Sequence, residues 1–207
     1  MLESTERKKI TTAQLAHRLG CSEAALYRHF ASKAQMFDAL LDFVESSLFN
    51  LINRITTEER NGMEQIREMT YLLLGFAEKN RGMTRVLIGE AVVYEKPQLQ
   101  ARINKLHGKL EAALKQSLRV AVGQKQMSQD ANLTALSGLV SCFVLGKWAL
   151  YVKSDFTRTP LAEYESQWRA LAAALQTPTL FDVASNITTD ATKTAVGETI
   201  FARSPDV

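Results

Sequence analysis

The 207 residues carry a formal net charge of only +3 and are 46% hydrophobic. That fits one domain, or a small domain joined to a larger one, and excludes a polycation that holds nucleic acid by bulk charge. Two distant cysteines, Cys21 and Cys142, exclude a disulfide framework or a thiolate metal site, and the start M-L-E-S-T-E-R-K-K lacks the apolar run of a secretory signal. The charge is unevenly spread: residues 1–36 hold six bases against three acids, and residues 37–60 hold two bases against five acids.

Thr11 to Phe30 predicts two short helices and a tight turn. Thr12, Leu15, Ala16 and Leu19 recur at helical period. Thr11 with Gln14 three residues later has the form of a capping box, and Gly20 stands where a left-handed residue ends a helix. Ser22 can cap the second helix. Leu26 and Phe30 face inward in that helix, leaving Glu23, Ala24, Tyr27 and Arg28 outward. This is the helix-turn-helix pattern, whose second helix enters the DNA major groove; a plain helical hairpin has the same periodicity. Read as a DNA head, Thr11 and Thr12 at a helix N-terminus suit a phosphate. Ser22, Ala24 and Ala25 are small enough for close approach to bases. Arg28 suits a guanine, or else pairs with Glu23 or Asp38. Tyr27, His29 and Lys33 suit the phosphate backbone. His17 and His107 read as surface residues, and the two cysteines as buried or half-buried thiols.

Ser32 and Gln35 repeat the capping box, and a long amphipathic helix follows over 33–57. The chain thus divides into a head (1–32), a linker helix (33–57), a helical body (62–176) and a tail (177–207) without a helical stripe. In the body, Asn61-Gly62 signals a turn, Met63–Lys79 a helix, and Asn80-Arg81-Gly82 a break. A short helix is expected over Met83–Ala91. Pro97 opens a long helix at its first turn, Gly123–Asp130 is a polar loop, and Thr159-Pro160 begins the last helix. The uncharged run Ala131–Gly146 is too short and polar to span a bilayer, yet the helix containing it is apolar all round and needs cover on every face. That predicts a homodimer through the last two helices, with Leu136, Leu139, Phe143, Trp148, Leu161, Trp168 and Leu171 at the interface; completing a monomer core is the other option. A twofold dimer would set two reading helices about 34 Å apart. No paired carboxylates, nucleophile–base pair, phosphate loop or metal spacing is visible, so neither an enzyme nor a cofactor is expected. Met63, Met69, Phe76, Met83, Phe143, Trp148 and Trp168 are candidates for a ligand pocket or for core.

The run A-L-Y-R-H-F followed by Ala31-Ser32-Lys33 resembles the end of the DNA-binding domain of TetR-type regulators, an all-α family with a helix-turn-helix head and a helical dimerisation body. In that family Tyr27, His29 and Lys33 match phosphate-contacting positions. The strings I-T-T-A-Q-L-A, L-L-L-G-F, L-Q-A-R-I-N and K-S-D-F are similar to the SlmA-like branch, the nucleoid occlusion factors. The resemblance implies a cytoplasmic, nucleoid-associated homodimer that binds palindromic double-stranded DNA and blocks assembly of the division protein FtsZ over the chromosome. By residue match the FtsZ-facing positions are Leu51, Leu72, Gly75, Lys79 and Asn80. Leu51 and Lys79 stand where the branch has Arg, and Lys lacks the planar fork of Arg. The family also has a helix ahead of the helix-turn-helix, of which only Met1–Ser4 would remain here. A TetR-type repressor released by a small molecule is the alternative that the same fold implies.

Overall fold

The computed structural model describes Leu2 and residues 11–177. These form α1 (Thr12–Leu19), α2 (Glu23–His29), α3 (Lys33–Glu58), α4 (Gly62–Lys79), α5 (Arg81–Leu87), a 3-10 turn (Glu90–Val92), α6 (Pro97–Gly123), α7 (Leu133–Lys153) and α8 (Tyr164–Gln176), with no strand among the described residues. The all-α fold is as expected. The basic run Arg7-Lys8-Lys9 and the tail beyond Thr177 lie outside the described residues, as does the question of a preceding helix.

Local chemistry sets the head. Both halves of the α1 capping box form, and Gly20 ends the helix at φ 66°. Ser22 Oγ accepts from the Ala25 N–H to cap α2. Ser32 caps α3 through the Gln35 N–H, so the linker helix begins where its cap predicts.

Burial sets the body. α3 buries Phe37, Leu41, Val44, Leu48 and Ile52 along one stripe. Its acids do not stay unpaired: Arg102 of α6 pairs with Asp42 and reaches Glu45 and Asp38, while Lys109 pairs with Glu45. At the centre lies α4, whose Ile66, Met69, Leu73, Leu74 and Ala77 are all buried. It crosses α6 at its first residue, Gly62. A Cβ there would stand 2.3 Å from the Ala121 backbone nitrogen and 2.8 Å from the Ser117 carbonyl oxygen. Only glycine permits that approach.

Several sequence expectations shift. The break after α4 is the single residue Asn80 (φ −132°, ψ 59°), and α5 starts at Arg81 rather than Met83, with Gly82 buried inside it. The last helix starts at Tyr164, not at Pro160. Asp155, Phe156 and Glu163 all take positive φ, which a right-handed helix excludes. The loop they make is pinned by Phe156, edge-on to Tyr151, and by the Leu161 N–H donating to Glu78 Oε1 at 2.8 Å.

The uncharged run expected to be too short for a bilayer belongs to α7, which at 21 residues is long and apolar enough to cross one. α7 packs on α6 and α4 within the body, and its Trp148 indole N–H donates to the Leu73 carbonyl at 3.0 Å. That geometry limits which of the expected interface residues a partner could reach. Trp148 is 0% exposed and Leu136 2% within one protomer, and Trp168 and Leu171 are also buried. Leu161 is half-buried, packed on the core and facing Gly75 of α4. Such side chains have little surface left to give a partner. Among the seven, Leu139 and Phe143 lie toward the open side of α7, beside exposed Leu150, Gly146 and Cys142. A helix apolar on every side does not show from its sequence which side turns inward. Cys142 is thus exposed rather than buried. His107 is not a surface residue either: its ring lies 6.4 Å from Trp148, its Nε2 has no hydrogen-bond partner among the described residues, and burial holds its pKa below the ordinary value, against the raising effect of a hydrogen bond to the Leu87 backbone.

Candidate nucleic-acid interface and partner groove

The outer face of the head carries Thr11, Ser22, Ala24, Tyr27, Arg28 and His29, all exposed, whereas Thr12 and Ala25 are half-buried. A small network ties the two helices together. Thr12 Oγ1 donates to Glu23 Oε2 at 2.8 Å and accepts from the Tyr27 hydroxyl at 3.4 Å. Tyr27 is therefore held over the N-terminus of α1, where a phosphate would sit. The two acids that sequence offered as partners for Arg28 are engaged elsewhere, Glu23 with Thr12 and Asp38 with Arg102. Arg28 makes no ion pair among the described residues, and its guanidinium faces solvent. A free, exposed fork on the second helix suits a base edge.

Lys33 departs from expectation. Its ammonium is ion-paired with Glu95, on the connection into α6, and lies 5.7 Å from the Phe37 ring centroid. As the first residue of α3 it sits beside the head, but its side chain turns back onto the body. Its ammonium is thus already engaged by a carboxylate.

The five positions matched to the FtsZ surface come together. Leu51 of α3 and Leu72, Gly75, Lys79 and Asn80 at the C-terminal end of α4 line one groove of about 740 Å³. Its other end is acidic and aromatic, with Glu64, Glu68, Tyr71, Tyr164 and Glu165. Arg67 braces that end, pairing with Glu64 at 2.6 Å and Glu165 at 3.0 Å. Tyr71 meets Tyr164 edge-on at 5.4 Å and remains exposed. These groove residues escaped the sequence reading. Tyr71, exposed on α4, and Phe43, exposed about two turns before Leu51 on α3, were the available signals.

Gly75 is the informative member. A Cβ at this helical position would meet only Leu161 Cδ1, at 3.7 Å, an ordinary contact. Glycine inside a helix costs roughly 0.5–1 kcal/mol against alanine, and nothing in the protomer requires it here. The open space belongs to the groove.

A second groove of about 470 Å³ lies between head and body. Leu15, Leu19, Met36, Phe37, Leu40 and Met83 line it, with Arg18 and Lys33 among them, and Lys79 and Asn80 line it as well. The methionine and aromatic set is divided between these two grooves and the core. Met83 opens on this groove, Phe76 on the α3–α4 groove, and Met69 and Trp148 are sealed in the core.

Comparison with known proteins agrees with this layout. Residues 8–40 match the model of bacterial regulatory proteins of the tetR family, and residues 60–176 match the SlmA-like form of the tetracyclin repressor-like C-terminal domain. A nucleoid occlusion factor SlmA of Alteromonas mediterranea is 43% identical over 82% of this chain and 87% of its own length. The chain belongs to the SlmA family of TetR-type proteins. The SlmA of Cronobacter sakazakii is 42% identical over 85% of this chain and 89% of its own. Among solved structures, a TetR transcription regulator from Haloarcula marismortui superposes with TM-score 0.69 at 16% identity, covering 83% of this chain and 92% of that one. The regulator FadR from Bacillus subtilis, solved with stearoyl-CoA, gives 0.66 at 13% identity over 79% and 87%. At such identities these two show the fold alone. As an SlmA-type member with a helix-turn-helix head, the protein is a DNA-binding nucleoid occlusion factor of the TetR family.

Proposed function

We propose that the protein acts as a homodimer on palindromic chromosomal DNA and, from there, blocks FtsZ ring assembly, working in the cytoplasm at the nucleoid. The head supplies the DNA contacts: Arg28 to a base, and Thr11, Tyr27 and His29 to the backbone. The exposed apolar side of α7, around Leu139 and Phe143, supplies the dimer contact. The α3–α4 groove supplies the FtsZ contact.

One observation carries the FtsZ part of the reading: the five matched residues share a groove whose floor is a glycine that the fold itself does not need. The groove's chemistry suits an extended segment. Leu51, Leu72 and Phe76 take its apolar side chains, exposed Lys79 takes a carboxylate, and Glu68, beside the Glu64–Arg67–Glu165 cluster, takes a basic residue. Leu51 in place of Arg makes this groove one cation poorer and more apolar than the family pattern. The small-molecule repressor reading has less support, because the methionine and aromatic set is divided between two grooves and the core.

The test is polymerisation of purified FtsZ, followed by light scattering, with the protein and a palindromic duplex. Wild type should slow or remodel the polymers. Gly75→Leu, with room for its Cβ, should keep its melting temperature and its DNA affinity and lose at least about tenfold in potency. An unchanged Gly75→Leu removes the groove from the reading. A wild type inert toward FtsZ, but released from DNA by a small molecule, establishes the repressor instead.

A further inference from the structure

Lys33 adjoins the reading helix in sequence, yet its ammonium is given to the body. Its partner Glu95 follows the 3-10 turn, and the two side chains are nearly covered, at 16% and 12% exposure. Among the described residues, the hydrogen bonds of residues 11–32 run within the head or to α3. From Asp38 onward α3 is clamped to α6 by Arg102 and Lys109. Between the head and that clamp, the Lys33–Glu95 pair is the charged link that fixes the first turn of α3. It also stands at the groove between head and body, which Lys33 lines.

We propose that Glu95 is a positioning residue of the DNA interface. Its carboxylate latches Lys33 to the body, and DNA phosphate competes for the same ammonium. The exchange is chemically even, since both partners are oxyanions, and a flexible four-carbon stem lets the ammonium swing between them. The N-terminus of α3, a helix of 26 residues, adds positive potential on the side the phosphate would approach. While Glu95 holds Lys33, this cation contributes little to the salt dependence of DNA binding. Its charge is already neutralised, and releasing it leaves a carboxylate that gathers a counterion. Removing the Glu95 charge frees Lys33 to act as a full phosphate contact, which adds about one unit to the slope of log affinity against log salt.

The inference rests on the head binding DNA, and the experiment separates the two. Fluorescence anisotropy is measured for the full chain on a random-sequence duplex of about 30 base pairs, from low to moderate salt, where binding is largely electrostatic. Glu95→Gln should bind about three- to tenfold tighter than wild type at low salt, with a slope steeper by about one. In a Lys33→Ala background the same Glu95→Gln change should alter affinity by less than about twofold, because the cycle isolates the pair. If Glu95→Gln does not fold, Glu95→Asp, whose shorter carboxylate reaches Lys33 less well, should show the same changes at reduced size. Glu95→Gln matching wild type in affinity and slope overturns the latch. So does an equal gain with and without Lys33, which would be a general charge effect. A wild type with no salt-dependent duplex binding overturns the DNA reading itself, and the latch with it.

Discussion

The head and the body are built on different terms. In the head, α2 buries no residue and α1 buries only Ala16. The head is held by caps, a left-handed glycine and the Thr12–Glu23–Tyr27 network, with most side chains in solvent. The body rests on a continuous core running from Phe37 to Leu175. Regions with few buried apolar contacts open at low free-energy cost. The head is therefore arranged to adapt to a ligand, and the body to hold its shape while that happens.

The sharpest test of this division lies in the body. Gly62→Ala should cost about 3 kcal/mol or more in urea denaturation, because its methyl meets the α6 backbone, which cannot move aside as a side-chain end can. A loss below about 1 kcal/mol would mean that α4 and α6 can separate cheaply and that the body is less rigid than described. In the head, Arg28→Ala should leave the unfolding midpoint within the small range of surface substitutions. It should weaken binding to a selected palindrome by about 2 kcal/mol and relax preference at one base position. An unchanged footprint would remove Arg28 from the reading helix.

The two regions also differ in how far their sequence reveals them. Caps are local, so Thr11, Gln14, Gly20, Ser22 and Ser32 disclose the head's helix ends without any tertiary knowledge. In the body, periodicity places helices but not their inward sides. α7 shows this best: Trp148 and Leu139 look equivalent in sequence, yet one donates to Leu73 in the core and the other faces out. Lys33 shows the converse limit. Its place beside the head suggests a DNA contact, while its partner lies 62 positions away in the chain. The groove was legible at Leu51, Leu72, Gly75, Lys79 and Asn80 only through family likeness, because its residues come from α3, α4 and α8 and share no local pattern.

Two smaller effects sharpen the contrast. Leu139→Glu should shift sedimentation toward monomer and weaken palindrome binding roughly tenfold without lowering monomer stability, since a charge on an exposed apolar side resists burial against a second copy. A persistent dimer would place the interface elsewhere. The smallest effect concerns pH. Burial lowers the His107 pKa in the folded chain, so between the folded value and the ordinary 6.5 the unfolded state binds more protons. Stability should fall as pH drops through that window and be unaffected by His107 above it. His107→Leu should flatten the acid limb of a melting-temperature profile below about pH 6.5. An identical acid limb in this variant would assign the loss to other groups.

Asn80, the single residue between α4 and α5, stands with Lys79 as a partition: one side faces the groove under the head, the other the groove proposed for FtsZ. DNA on the head above that wall and a ligand in the groove beside it cannot be energetically independent if either one shifts it. Whatever factor DNA applies to affinity in the α3–α4 groove, an occupant of that groove must apply to DNA affinity. Dwell time on the chromosome would then report whether a division protein is engaged, and a substitution at Asn80 could sever that report while leaving both binding events intact.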